Sequence, residues 1–117
     1  CCLIPGRKYS RNIRVTRIVD TFLEHARVWY FGNGGKPKLF LGSPDWMRRN
    51  LYRRIEAVTP ILDPDLKREL SDMLSIQLSD KRKACFVDDH LRNRWKSARP
   101  QKEKIRSQYT FYEYLKG

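Results

Sequence analysis

Arg27-Val28-Trp29-Tyr30-Phe31, Asn33-Gly34-Gly35 and Lys38-Leu39-Phe40-Leu41 form the stretch that decides the fold class. Its two flanks are β-branched and aromatic, which suits a pleated, half-buried surface. Between them lie residues that tolerate positive φ, so the stretch reads as two strands joined by a tight hairpin turn. Working outward, Gly42-Ser43-Pro44-Asp45 breaks the second strand, 46–52 connects, and 55–61 reads as another strand. Asp63-Pro64-Asp65 is a strong helix start: an N-cap carboxylate, a proline at the first helical position, and an acid near the positive end of the dipole. Leu66, Leu70, Met73, Leu74 and Leu78 follow at helical spacing. Residues 84–87 read as a short strand and 94–104 as a mobile loop. Ile105, Tyr109, Tyr112 and Leu115 make the stripe of a closing amphipathic helix. Upstream, Cys1-Cys2-Leu3-Ile4 reads as a buried strand ended by Pro5-Gly6. Ile18, Val19, Phe22 and Leu23 fall at i, i+1, i+4 and i+5, so 12–24 reads as a helix. The expectation is an α/β fold: a mixed sheet with flanking helices and a C-terminal amphipathic helix, all in a single domain, 1–117.

The chain has 117 residues, and 25 Lys and Arg against 13 Asp and Glu leave a formal charge of +12. With 40% hydrophobic and 12% aromatic residues it can build a core, which excludes disorder throughout. No apolar run exceeds four residues, leaving no room for a membrane-spanning helix or a signal-peptide core. Three cysteines, two of them adjacent, make a poor disulfide framework and point to a reducing, cytoplasmic setting. An N-terminal Cys also fits a lipid-modified terminus, but the apolar run after it reads as domain interior. The expectation is a C-terminal fragment of a larger chain.

A basic surface draws nucleic acid, anionic lipid, nucleotides or another polyanion. The tail 81–106 is strongly basic and reads equally well as a solvated face. Arg48, Arg49, Arg53 and Arg54 are tighter and lie between two apolar strands. Arginine's planar fork suits pairs of phosphate oxygens.

Two histidines are present. His25 precedes the first hairpin strand, and on a strand it shares a face with Arg27. A histidine titrates near ~6.5 and passes protons at neutral pH; the bland alternative is a helix C-cap. His90, in Asp88-Asp89-His90, lacks the second ligand pair of a metal corner, so no metal ligands are expected. Trp46 and Tyr52 read as core rather than as base-stacking groups.

His25-x-Arg27, Gly42-Ser43-x-Asp45, Asn50, Arg53, Arg54 and Glu56 together resemble the His-x-Lys…Gly-Ser-x-Asn signature of the phospholipase D-like superfamily. Arg27 stands where that family has lysine, Gly32 where it has an acid, and Asp45 where it has asparagine. These departures weigh against an ordinary phosphodiesterase.

A closer resemblance runs through Cys1-Cys2-Leu3-x-Pro5-Gly6, Ser10-x-Asn12-Ile13, Ile18-Val19-Asp20, Phe22-Leu23-Glu24-His25, Asn33-Gly34-Gly35 and Asp45-Trp46-Met47-x-Arg49-Asn50-Leu51-x-Arg53-Arg54-Ile55-Glu56. With Arg106-Ser107-Gln108, Tyr112 and Tyr114-Leu115, these are similar to the last, phospholipase D-like domain of bacterial polyphosphate kinases. The resemblance implies reversible transfer of the ATP γ-phosphoryl group to polyphosphate through a phosphohistidine in the preceding domain, so the fragment alone would be inactive. It implies that His25 contacts the nucleotide phosphates as a general acid and that Arg54 binds them. Arg27, Asn50 and Glu56 are expected beside them, and Arg49 and Arg53 along the polyphosphate path. Arg53 and Arg54, if on a strand, point to opposite faces, with Glu56 orienting Arg54. Mg2+ ligands are expected in the preceding domain. Expected partners are ATP, ADP, polyphosphate, the rest of the chain and a second copy in a homo-oligomer, with no nucleic acid. The expected location is the cytoplasm, with peripheral contact at the inner face of the membrane. The alternatives are a basic nucleic-acid-binding module and a phospholipase D-like half-site.

Overall fold

The computed structural model describes residues 3–96 and 105–117. The strand expected at the start partly falls on Cys1 and Cys2, outside the described residues, as does much of the loop expected at 94–104. Two compact units emerge: Glu24–Ser71 forms one, and Asp72–Gly117 with the segment ending at Leu23 forms the other.

In the first unit, β2 (Val28–Phe31), β3 (Lys38–Gly42) and β4 (Val58–Ile61) make an antiparallel sheet in that order. Val28 pairs with Leu41, and Leu39 of the central strand pairs with Ile61. Leu39 is 1% exposed, while Phe31 packs edge-on against Phe40 diagonally across the hairpin at 5.9 Å. The β2–β3 turn holds Asn33 at φ 44°, Gly34 at 60° and Gly35 at 87°, and the Asn33 side-chain Nδ2 donates to the Lys36 carbonyl. Those angles are why this turn requires Asn-Gly-Gly. Gly42 is required for a different reason: a Cβ there would lie 2.6 Å from Cζ3 of Trp29. After β3 a short helix, α1 (Arg48–Arg53), buries Asn50, and α2 (Pro64–Ser79) begins beyond β4. Asp63 caps α2, its Oδ1 accepting from the Asp65 and Leu66 amides at 2.8 and 3.0 Å.

In the second unit, β1 (Val15–Ile18), β5 (Ala84–Val87) and β6 (Asn93–Trp95) form an antiparallel sheet with β5 central. Ala84, Cys85 and Val87 are buried, and the free Cys85 thiol donates to the Arg17 carbonyl. The last helix is α3 (Ser107–Lys116). Asp80, fully buried, accepts through Oδ1 from the Arg82, Lys83 and Ala84 amides. Its Oδ2 accepts from the Ser107 amide at the start of α3, at 2.7 Å. Arg106 forks onto Asp20, whose side chain is 1% exposed, and lies over the Tyr109 ring. Gln108 exchanges hydrogen bonds with the Phe22 backbone at 2.7 and 2.9 Å. Arg106, Ser107 and Gln108 thus each tie α3 to a different point.

The α/β class, the hairpin, α2, β5 and the closing helix agree with the sequence. Four expectations are corrected. In place of a mixed sheet, the described strands make two antiparallel ones. Residues 12–24 contain β1, not a helix: Val15-Thr16-Arg17-Ile18 pairs with β5, and Val19, Phe22 and Leu23 stay exposed instead of forming a buried stripe. Leu3 and Ile4 form no strand, and Leu3 is exposed. Arg94 and Trp95 belong to β6 rather than to a loop.

Candidate functional site

The end of β3 and the loop after it bring the site's side chains together within the first unit. Gly42 continues the β2–β3 ladder, its amide donating to the Arg27 carbonyl at 3.1 Å. Ser43 extends the pairing toward β4 by donating to the Ala57 carbonyl at 2.9 Å. This sets Arg27, just before β2, opposite the loop that carries Ser43 and Asp45.

Arg27 donates from Nε and Nη2 to Asp45 Oδ1 at 2.9 and 2.6 Å. Its Nη2 also meets His25 Nε2 at 2.8 Å, and Nη1 donates to the His25 carbonyl at 3.2 Å. His25 itself is exposed. The hydrogen bonds and charge of Arg27 hold the Asp45 carboxyl below its usual range against a smaller desolvation effect, and the charge of Arg49 adds to the lowering.

A second cluster centres on Glu56. Ser43 Oγ donates to Oε2 at 2.5 Å, and Asn50 Nδ2 donates to Oε1 at 2.8 Å. The Ala57 amide donates to Ser43 Oγ at 3.1 Å, so the hydroxyl is held from both sides. These two donors lower the Glu56 carboxyl most, with the charges of Arg54 and Arg27 adding to the effect. Asn50 is 4% exposed, and its Oδ1 has no hydrogen-bond partner among the described residues.

His25, Arg27, Asn50, Arg54 and Glu56 therefore share one neighbourhood. Arg49 lies close enough to act on Asp45, while Arg53 and Arg48, with Leu51 and Tyr52, line an open depression of about 650 Å3 on α1. Three details depart from expectation. Arg53 ends a helix and Arg54 is its extended C-cap, so the two are not neighbours on a strand. Glu56 makes its hydrogen bonds to Ser43 and Asn50. Trp46 and Tyr52, read as core, are 62% and 79% exposed. Ser43 and Asp45 were visible only as members of a spacing pattern. Their parts emerge from the register of β3 against β2 and β4, which no local signal encodes.

The polyphosphate kinase C-terminal domain 2 family matches residues 1–108. The polyphosphate kinase of Escherichia coli strain K12 is 47% identical over the whole chain, which covers 17% of that protein. That of Synechocystis sp. is 53% identical over 72% of the chain, covering 12% of its length. Among solved structures, the polyphosphate kinase of Porphyromonas gingivalis matches the whole chain with a TM-score of 0.92 and 55% identity, over 18% of that protein. The chain thus spans about a sixth of the length of these relatives.

Proposed function

This chain belongs to the polyphosphate kinase C-terminal domain 2 family, and on that premise we propose that it is part of a kinase moving the ATP γ-phosphoryl group reversibly onto inorganic polyphosphate. The transfer runs through a phosphohistidine in a preceding domain, and this segment supplies nucleotide- and phosphate-binding side chains. The observation that carries the reading is the agreement along the full chain with the E. coli and P. gingivalis kinases.

Phosphoryl transfer asks mainly for positioning and for stabilisation of charge on the transferred group and leaving oxygen. His25 donates a hydrogen bond to the nucleotide phosphates, and Arg54 meets them with its planar fork. Asn50 and Glu56 brace the loop around Ser43, and Arg27 stands beside His25. The exposed Arg49 and Arg53 guide the polyphosphate chain. Among the described residues no three His, Cys, Asp or Glu side chains converge. Asp45 is engaged by Arg27, and Glu56 by Ser43 and Asn50. This donor set does not fit a resident Mg2+, and the magnesium ligands belong to the rest of the enzyme. The segment works against that remainder, in a homo-oligomeric, cytoplasmic enzyme that touches the inner membrane face peripherally. No helix in the described residues is long and apolar enough to cross a membrane.

The complete enzyme, given ATP·Mg2+ and short-chain polyphosphate, should release one ADP for each phosphate residue added and run backward when given ADP. No transfer in either direction refutes the proposal. Binding of DNA that millimolar ATP fails to displace would favour a nucleic-acid module, the reading suggested by the charge of +12.

A further inference from the structure

We infer that Asp45 is a positioning residue for His25: it anchors the Arg27 guanidinium, which fixes the imidazole as the Nδ1–H tautomer and leaves that N–H as the atom offered to a phosphate oxygen. The inference deepens the kinase reading and rests on it for the identity of the phosphate.

The argument is one of donors and acceptors. A guanidinium carries five N–H donors and no acceptor. At 2.8 Å from Arg27 Nη2, His25 Nε2 therefore accepts and carries no proton. In a neutral imidazole the proton then sits on Nδ1, which has no hydrogen-bond partner in the described structure. Arg27 is itself nearly used up. Nε–H and one Nη2–H go to Asp45 Oδ1, the other Nη2–H goes to His25 Nε2, and one Nη1–H goes to the His25 carbonyl. One donor remains, too few for the two-pronged grip with which arginine holds phosphate. Arg27 thus grips the histidine from both ring and backbone, and Asp45 grips Arg27. Asp45 is well placed for this, because the loop carrying it is pinned by Ser43 to Ala57 and Glu56. A neutral ring held in this way works as a fixed hydrogen-bond donor toward developing charge.

The test uses the complete enzyme in which this segment alone carries 15N-histidine, leaving two labelled rings, with His90→Gln to assign them. Long-range 1H–15N correlations at neutral pH should give a protonated Nδ1 and a bare Nε2 for His25. Asp45→Asn, which keeps the Oδ1 acceptor, should retain that pattern. Asp45→Leu and Arg27→Met should shift the ring toward the Nε2–H form that free histidine side chains prefer, with His90 unmoved. In the same enzyme, kcat of Asp45→Leu should fall at least ~10-fold, with a smaller change in KM for ATP. A wild-type ring with Nε2 protonated overturns the inference whatever the variants do. A wild-type signal retained in both Asp45→Leu and Arg27→Met also overturns it. The expected ring signals in an enzyme that transfers no phosphoryl group would refute the kinase reading and still support the positioning.

Discussion

Replacing Asp80 with alanine removes a carboxylate on which β5 and α3 both depend. Four backbone amides lose their acceptor: those of Arg82, Lys83, Ala84 and Ser107. Arg82 is exposed and Lys83 half-buried, so water can reach those two. Ala84 and Ser107 are fully buried and have nowhere else to turn. An orphaned buried amide costs about 1–3 kcal/mol, so the two together predict a loss of about 2–6 kcal/mol. For a chain of this length each kcal/mol moves Tm by roughly 4 °C, which puts the drop on the order of 10 °C or more. Thermal unfolding followed by circular dichroism reads the size, and amide exchange at Ala84 and Ser107 reads the place. A shift of under ~2 °C with unchanged exchange at both amides would refute the reasoning. The same carboxylate predicts an acid dependence. Burial pushes Asp80 up, but the amides of Lys83, Ser107 and Arg82 together outweigh it, and the net pKa lies below the ordinary 3.8. A depressed carboxyl contributes stability that is fully present above 3.8 and lost as the pH falls through the lower folded value. Wild type should therefore lose stability below about pH 4, and Asp80→Asn should flatten that part of the curve.

Gly42→Ala drives a methyl into the Trp29 ring and should cost about 1–3 kcal/mol, read by urea unfolding; a neutral result would show that the ring moves aside freely. In the complete enzyme His25→Ala should lower turnover by ~10²-fold or more, the usual cost of losing one donor to developing charge, and near-normal turnover would remove its role. Arg54→Ala should raise the apparent KM for ATP and lower kcat together; an unchanged ATP dependence would take Arg54 out of the phosphate site.

Segments whose local chemistry agreed with their tertiary surroundings could be read directly. Asn33-Gly34-Gly35 needs positive φ wherever it occurs, and Asp63-Pro64-Asp65 caps a helix without help from afar. β1 failed because its evidence is non-local. Val15-Thr16-Arg17-Ile18 is β-branched, but the helical spacing of Ile18, Val19, Phe22 and Leu23 next to it was accidental. The deciding partner is β5, some seventy residues later in the chain. Arg53 and Arg54 show the reverse: a helix too short to announce itself ends between them, and the assumed strand alternation dissolves. At the site, His25 and Arg27 were legible as a pair because two-residue spacing puts them on one side. Asp45 and Ser43 were not, since the register of β3 against β2 and β4 brings them to Arg27 and Glu56. Arg106-Ser107-Gln108 was visible only as a pattern. The structure gives each residue its reason: an ion pair, a capped amide and a two-way backbone bond.

The thiol of Cys85, sealed in the central strand of the second unit, turns that sheet into its own clock. It is 4% exposed and turned toward the Arg17 carbonyl, so an alkylating reagent can reach it only when β1 and β5 part. The labelling rate at Cys85, followed by peptide mapping, then tracks the population of an open form in otherwise folded protein, and reaches the opening frequency itself when alkylation outpaces reclosing. Denaturation midpoints average over the whole chain. This single sulfur reports on the seam between two strands that meet from opposite ends of it.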